Sequence, residues 1–189
     1  MIRSGRLMSA LLAGALFCGS TTAAGPAPVP RKAPAFAVQT APEHYIWLSE
    51  HSGQTVILAF ILTDCKHCTF TTGLLNAIQR DYAGKGVQVL ASAIDTMSAL
   101  HIPEFLKKTN PAFPVGYDDQ NYAAVFLGYG EKDPMFAPQI VMIDRNGMIR
   151  AQFGGDDPKM LENVQDKTLR DALNETLKAG GAAAAAHKK

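Results

Sequence analysis

The sequence predicts a single α/β domain, and three features carry that prediction. "QTVILAFIL", residues 54–62, is apolar at nearly every position, the pattern of a strand covered on both faces of a sheet. Strand-like and helix-like stretches alternate around it. A hairpin and a charged amphipathic helix then close the chain.

Taken in order, "APAFAVQT" (33–40) reads as a strand broken by "APEH", and "YIWLSEHSG" (45–53) ends in a Ser-Gly turn before the central run. "DCKHCTFTTGLLNAIQRDYAGKG" (64–86) places Phe70, Leu74, Leu75, Ile78 and Tyr82 at helical spacing, with glycines as the stop. "VQVLASAID" (87–95) is a second strand. "SALHIPEFLKKTN" (98–110) reads as helical in its second half, with Pro103 in the first turn. "FPVGYDD" (113–119) is a short extended piece and "QNYAAVFLGYG" (120–130) a short helix. "PQIVMIDRNGMIRAQFGG" (138–155) reads as a hairpin turning at Arg145-Asn146-Gly147. From Pro158 to about Ala179 the spacing predicts a helix whose buried stripe is Met160, Leu161, Val164, Leu169, Leu173 and Leu177.

The ends read differently. "MIRSGR", the apolar "LMSALLAGALFCG" and the small residues of "STTAAG" make residues 1–24 a secretory signal peptide, cleaved after Ala23 or Ala24. Four prolines make 25–34 a flexible or PPII-like linker. The domain then spans 35–179, and the low-complexity 180–189 is expected to fray. Without the two signal-segment arginines, 16 basic residues face 17 acidic ones. That balance argues against a nucleic-acid binder. No run of 18 apolar residues exists to form a stable membrane span. The reading is therefore an exported protein, placed in a bacterial periplasm. A lipid anchor at Cys18 is the lesser alternative, because Phe17 precedes that cysteine where a small residue is wanted.

Once Cys18 is lost with the signal, two cysteines remain, Cys65 and Cys68, three positions apart where a strand runs into a helix. At a helix N-terminus, free N–H groups and the helix dipole favour a thiolate. Lys66 and His67 push Cys65 the same way and Asp64 opposes them. The spacing suggests that Cys65 attacks a partner and Cys68, nearly one turn on and more buried, resolves the mixed disulfide.

Here the chain resembles the thioredoxin family, and within it the exported thiol–disulfide oxidoreductases of the TlpA/ResA-like redoxin group. "APAFAVQT" resembles that group's opening segment, "QTVILAFILTDCKHC" its central strand and active site, and "FAPQIVMIDRNGMI" the segment that carries its cis-proline. The resemblance implies a thioredoxin-like fold, a central mixed β-sheet flanked by helices. It implies disulfide exchange with protein partners and a redox partner protein, through Cys65 and Cys68, with no cofactor beyond their own redox-active disulfide. It makes Ala137 and Pro138 the substrate-docking element, with Pro138 cis, and gives Lys66, His67 and Asp64 a part in tuning the potential.

The departures are specific. Asp64 stands where the family usually has tryptophan, Thr71 where many of the group carry glutamate, and Gly73 where a helix-kinking proline is common. No carboxylate lies in "VILAFIL", so His67, Asp64 and water are the candidates for the Cys68 proton. Three rival chemistries share parts of the pattern. Structural zinc needs about four ligands, whereas the histidines outside the pair, His44, His51, His101 and His187, are scattered. A copper-carrying protein needs only the two thiolates and a distant histidine, for which His101 is the candidate. A peroxidase of the peroxiredoxin kind wants a threonine three before its cysteine, where this chain has Leu62, with Thr63 next to it.

Overall fold

The computed structural model describes residues 25–186, so the signal segment and Cys18 lie outside the described residues. Its strands are β1 (Arg31–Lys32), β2 (Ala37–Ala41), β3 (His44–Trp47), β4 (Thr55–Ile61), β5 (Val87–Ala93), β6 (Val115–Tyr117), β7 (Gln139–Ile143) and β8 (Met148–Phe153). Its helices are α1 (Lys66–Tyr82), α2 (Ser98–Thr109), α3 (Gln120–Leu127) and α4 (Glu162–Ala186). All eight strands join one mixed sheet in the order β1-β8-β7-β4-β5-β6-β2-β3. β4, β5 and β6 run parallel, and β7 pairs antiparallel on the other side of β4.

Every residue of β4 is buried, as an apolar run without alternation requires. The period of two still sorts its side chains. Ile57, Ala59 and Ile61 join Leu75 and Ile78 of α1, Phe105 of α2 and Leu169 and Leu173 of α4 in one core layer. Val56, Leu58 and Phe60 join Phe36 and, from α3, Ala123, Phe126 and Leu127 in the other. Each layer buries its own face of the sheet, so the strand is fixed in depth and direction. Residues 62–65, which continue the chain beyond β4, are thereby delivered to the C-terminal edge of the parallel strands.

Four expectations need correction. Residues 25–34 are not a free linker. Arg31 and Lys32, the proline-free pair between Pro30 and Pro34, keep their donors and pair with Ile149 and Met148. Pro103 lies inside α2 rather than in its first turn, because the helix begins at Ser98 and buries Ile102 and Phe105 on either side of it. Leu161 and Val164 are exposed, at 60% and 39%. A short 3-10 turn at Pro158–Met160 breaks the register, and the buried line of α4 is Gln165, Leu169, Leu173 and Thr176. Finally, the expected fraying from 180 gives way to helix as far as Ala186, in keeping with the high helix propensity of alanine.

Candidate functional site

Cys65 is the N-cap of α1, with extended backbone at φ −84° and ψ 121°. Its Sγ accepts the backbone N–H of Cys68 at 3.0 Å, the bond that a capping oxygen would usually accept. Thr69 Oγ1 donates to the Cys65 carbonyl at 3.1 Å and Thr72 Oγ1 to that of Cys68 at 2.8 Å, which ties the first turns together. Both cysteines are free thiols; Cys65 is half-buried and Cys68 fully buried. Burial pushes the Cys68 thiol up from its usual range. The side-chain bond with Cys65 and the nearby charges of Cys65 and Asp95 add to that rise, against a downward pull from the Leu62 N–H, 3.4 Å from Sγ.

Two polar chains flank the pair. On the α4 side, His67 Nε2 lies 3.3 Å from Gln165 Oε1, and Gln165 Nε2 donates to Thr71 Oγ1 at 2.8 Å. On the other side, Asp95 accepts the Thr63 N–H at 2.9 Å and the Thr63 hydroxyl at 2.8 Å, with His101 Nδ1 3.3 Å from its second oxygen. Thr63, Asp64, Asp95, His101, Glu104 and Lys108 line a cleft of about 550 Å³ there.

The third side is the segment before β7. The Ala137–Pro138 peptide bond is cis. Pro138 is buried, and Ala137 packs on the same core cluster as Cys65. Gly155 passes so close to the Ala137 carbonyl that a Cβ there would overlap it, and its N–H donates to the Phe136 carbonyl at 2.9 Å. Gln139 Nε2 donates to that carbonyl at 2.7 Å and accepts, through Oε1, from the Tyr129 hydroxyl at 3.2 Å.

The expected residues thus divide. Cys65, Cys68 and His67 form one hydrogen-bonded turn, while the side chains of Asp64 and Lys66 face solvent. His101 is held in the Asp95 network, and no group of three metal-ligating side chains gathers among the described residues. The Thr63 hydroxyl is already given to Asp95. Asp95, Thr71 and Gln165 were not among the expected site residues. Asp95 had a signal, because it lies two residues past the end of β5, the strand that runs parallel beside β4, and such strand ends are where sites form. Gln165 had a weaker one, as a polar residue in the middle of an apolar helical stripe.

Comparison with known proteins agrees with this fold. The model of the AhpC/TSA family matches residues 29–152. A thiol-disulfide oxidoreductase ResA of Bacillus anthracis is 28% identical over 129 residues, 68% of this chain and 71% of that protein. A ResA of Geobacillus kaustophilus is 27% identical over 138 residues, 70% of this chain and 76% of that one. A crystal structure of a candidate thiol:disulfide interchange protein DsbE from Chlorobium tepidum superposes with a TM-score of 0.63 at 26% identity, covering 80% of this chain and 99% of that one.

Proposed function

Given that the chain belongs to the AhpC/TSA family and has a thioredoxin-like fold, we propose that it is an extracytoplasmic thiol–disulfide oxidoreductase acting on protein partners through Cys65 and Cys68. The observation that carries this reading is the cysteine turn itself. A half-buried Cys65 sulfur that a partner can reach is held by the N–H of a Cys68 that a partner cannot. In the reducing direction, the Cys65 thiolate attacks a partner disulfide, forms a mixed disulfide and expels one partner thiolate. Cys68 gives up its proton and attacks Cys65 Sγ. The intramolecular disulfide forms, the second partner thiol leaves, and two electrons have passed to the partner. The oxidising direction is the same path reversed, and the relative potentials of the two couples set which one runs.

Ala137 and Pro138 form the docking element, with the partner's backbone lying beside them; Lys66, His67 and Asp64 tune the potential. Export is supported by the leader-like residues 1–24. A partner trap tests the activity. In its native compartment, Cys68→Ser should accumulate mixed disulfides on Cys65 that dithiothreitol dissolves. If Cys68→Ser traps nothing beyond what Cys65→Ser traps, the exchange reading falls.

A further inference from the structure

Gln165 is fully buried on the first turn and a half of α4, and it is the residue through which α4 touches the cysteine turn by hydrogen bonding. Its amide is committed at both ends. Nε2 donates to Thr71 Oγ1 at 2.8 Å, so the group facing His67 is the carbonyl oxygen, at 3.3 Å. A carbonyl oxygen only accepts, so the His67 nitrogen opposite it carries the proton. A buried amide with one partner on each side has little freedom to reverse, because reversal would need Thr71 and His67 to exchange donor and acceptor roles together. His67 is also covalently fixed between the two sulfurs' positions, one residue before Cys68 and two after Cys65.

We infer that Gln165 is a positioning residue for the Cys65–Cys68 couple: held by Thr71, its amide oxygen fixes the His67 ring with the proton on Nε2. The inference rests on the disulfide-exchange reading. It deepens that reading by assigning the tuning of the couple to a residue almost a hundred positions away on another helix. A ring held in this way presents its charge to the sulfurs from a constant place. A ring set free spends part of its time turned to water, where the charge counts for less. Since a cation near the pair stabilises the thiolate, and hence the reduced form, losing the anchor should shift the couple toward the disulfide.

The test uses the full mature chain, its reduced and oxidised forms equilibrated with glutathione at pH 7, alongside ¹⁵N NMR of the His67 ring. Gln165→Leu keeps the volume and the burial but removes the acceptor. The expected result is a shift of the equilibrium constant toward the disulfide by about threefold or more, or about 15 mV. In the same variant the neutral ring should become a mixture of the two tautomers, where the wild-type ring is Nε2–H. Gln165→Glu retains an acceptor oxygen for His67 and should keep the Nε2–H form. The deciding comparison is made in a His67→Ala background, where Gln165→Leu should leave the equilibrium unchanged. An equal shift with and without His67 would show a structural effect of Gln165 and overturn the inference, as would an Nδ1–H ring in the wild-type protein. These readouts need no partner protein, so a failed partner trap and a failed anchor are told apart.

Discussion

The behaviour of the site begins with one sulfur held neutral. Cys68 is buried against β4, and burial, the Cys65 side chain and the neighbouring negative charges together raise its thiol well above the usual range. The folded reduced protein therefore holds that proton more tightly than the unfolded chain does. Stability contributed in this way is complete below the unfolded thiol's pKa, about 8.5, and is lost as the pH climbs from there toward the raised folded value. Melting of the reduced protein should thus fall between pH 8 and pH 10, and Cys68→Ala should remove most of that slope. A slope that survives in Cys68→Ala would mean that another group carries it. The same burial explains the division of labour. Iodoacetamide at pH 8 should label Cys65 and spare Cys68 by about a hundredfold or more, read by mass spectrometry.

At the scale of elements, the β7–β8 hairpin shows what fixes the segment that carries Ala137 and Pro138. Asp144 is buried at the end of β7. Its carboxylate accepts the N–H groups of Asn146 and Met148, at 2.8 and 3.1 Å, and pairs with Arg150 at 2.7 Å. Burial alone would raise this carboxyl. The Met148 N–H, Arg150 and the Asn146 N–H outweigh it, so the group lies below its ordinary value. Its stabilisation is present above the unfolded carboxyl's pKa, about 3.9, and is lost as the pH falls through the folded value. Asp144→Ala, which leaves two N–H groups and a guanidinium short of a partner, should cost about 2–4 kcal/mol in urea unfolding at pH 7. The deficit should shrink below pH 4; one that is constant with pH would point to packing instead of charge. This hairpin was legible in the sequence because Asn146-Gly147 sits between two apolar runs and Gly147 takes φ 75°. The cysteine turn was legible for the same local reason, a strand feeding straight into a helix. Thr71 was not, and Asp95 and Gln165 were only hinted at by a strand-end position and a polar residue in an apolar stripe, since each acts across the fold through pairings 32 and 94 positions apart. The stripe of α4 departs from the sequence pattern for a related reason. A period of 3.6 says which residues share a face but not which face the rest of the chain will cover, and there the buried residue is Gln165 while Leu161 and Val164 are exposed.

On the scale of the whole molecule, two packed layers enclose β4, and the N-terminal segment is strapped across the outer edge that they leave open. β1 covers β8, the Ala33 N–H donates to the Gly147 carbonyl at 2.9 Å, and the Arg31 guanidinium gathers four partners. It donates to the carbonyls of Ala27 and Leu127, both at 3.0 Å, to that of Phe126 at 3.4 Å, and to Gln152 Oε1 at 2.7 Å. One side chain thus joins the leading segment, the end of α3 and β8. Three of its acceptors are backbone carbonyls, so losing the guanidinium falls on the fold itself. A strand at a sheet edge offers unpaired N–H and C=O groups to any other chain, and β1 removes that opening. Arg31→Ala should lower stability by about 1–3 kcal/mol, a drop of about 3–8 °C in Tm for a chain of this size. The loss should be local. Amide exchange should speed up at Ala33 and along the outer edge of β8, while the amides of β4, closed on both sides by β5 and β7, keep wild-type protection. Disulfide exchange through Cys65 and Cys68 should persist, because neither cysteine touches the strap. Equal acceleration in β4 and β8 would instead make the N-terminal segment an inseparable part of the core.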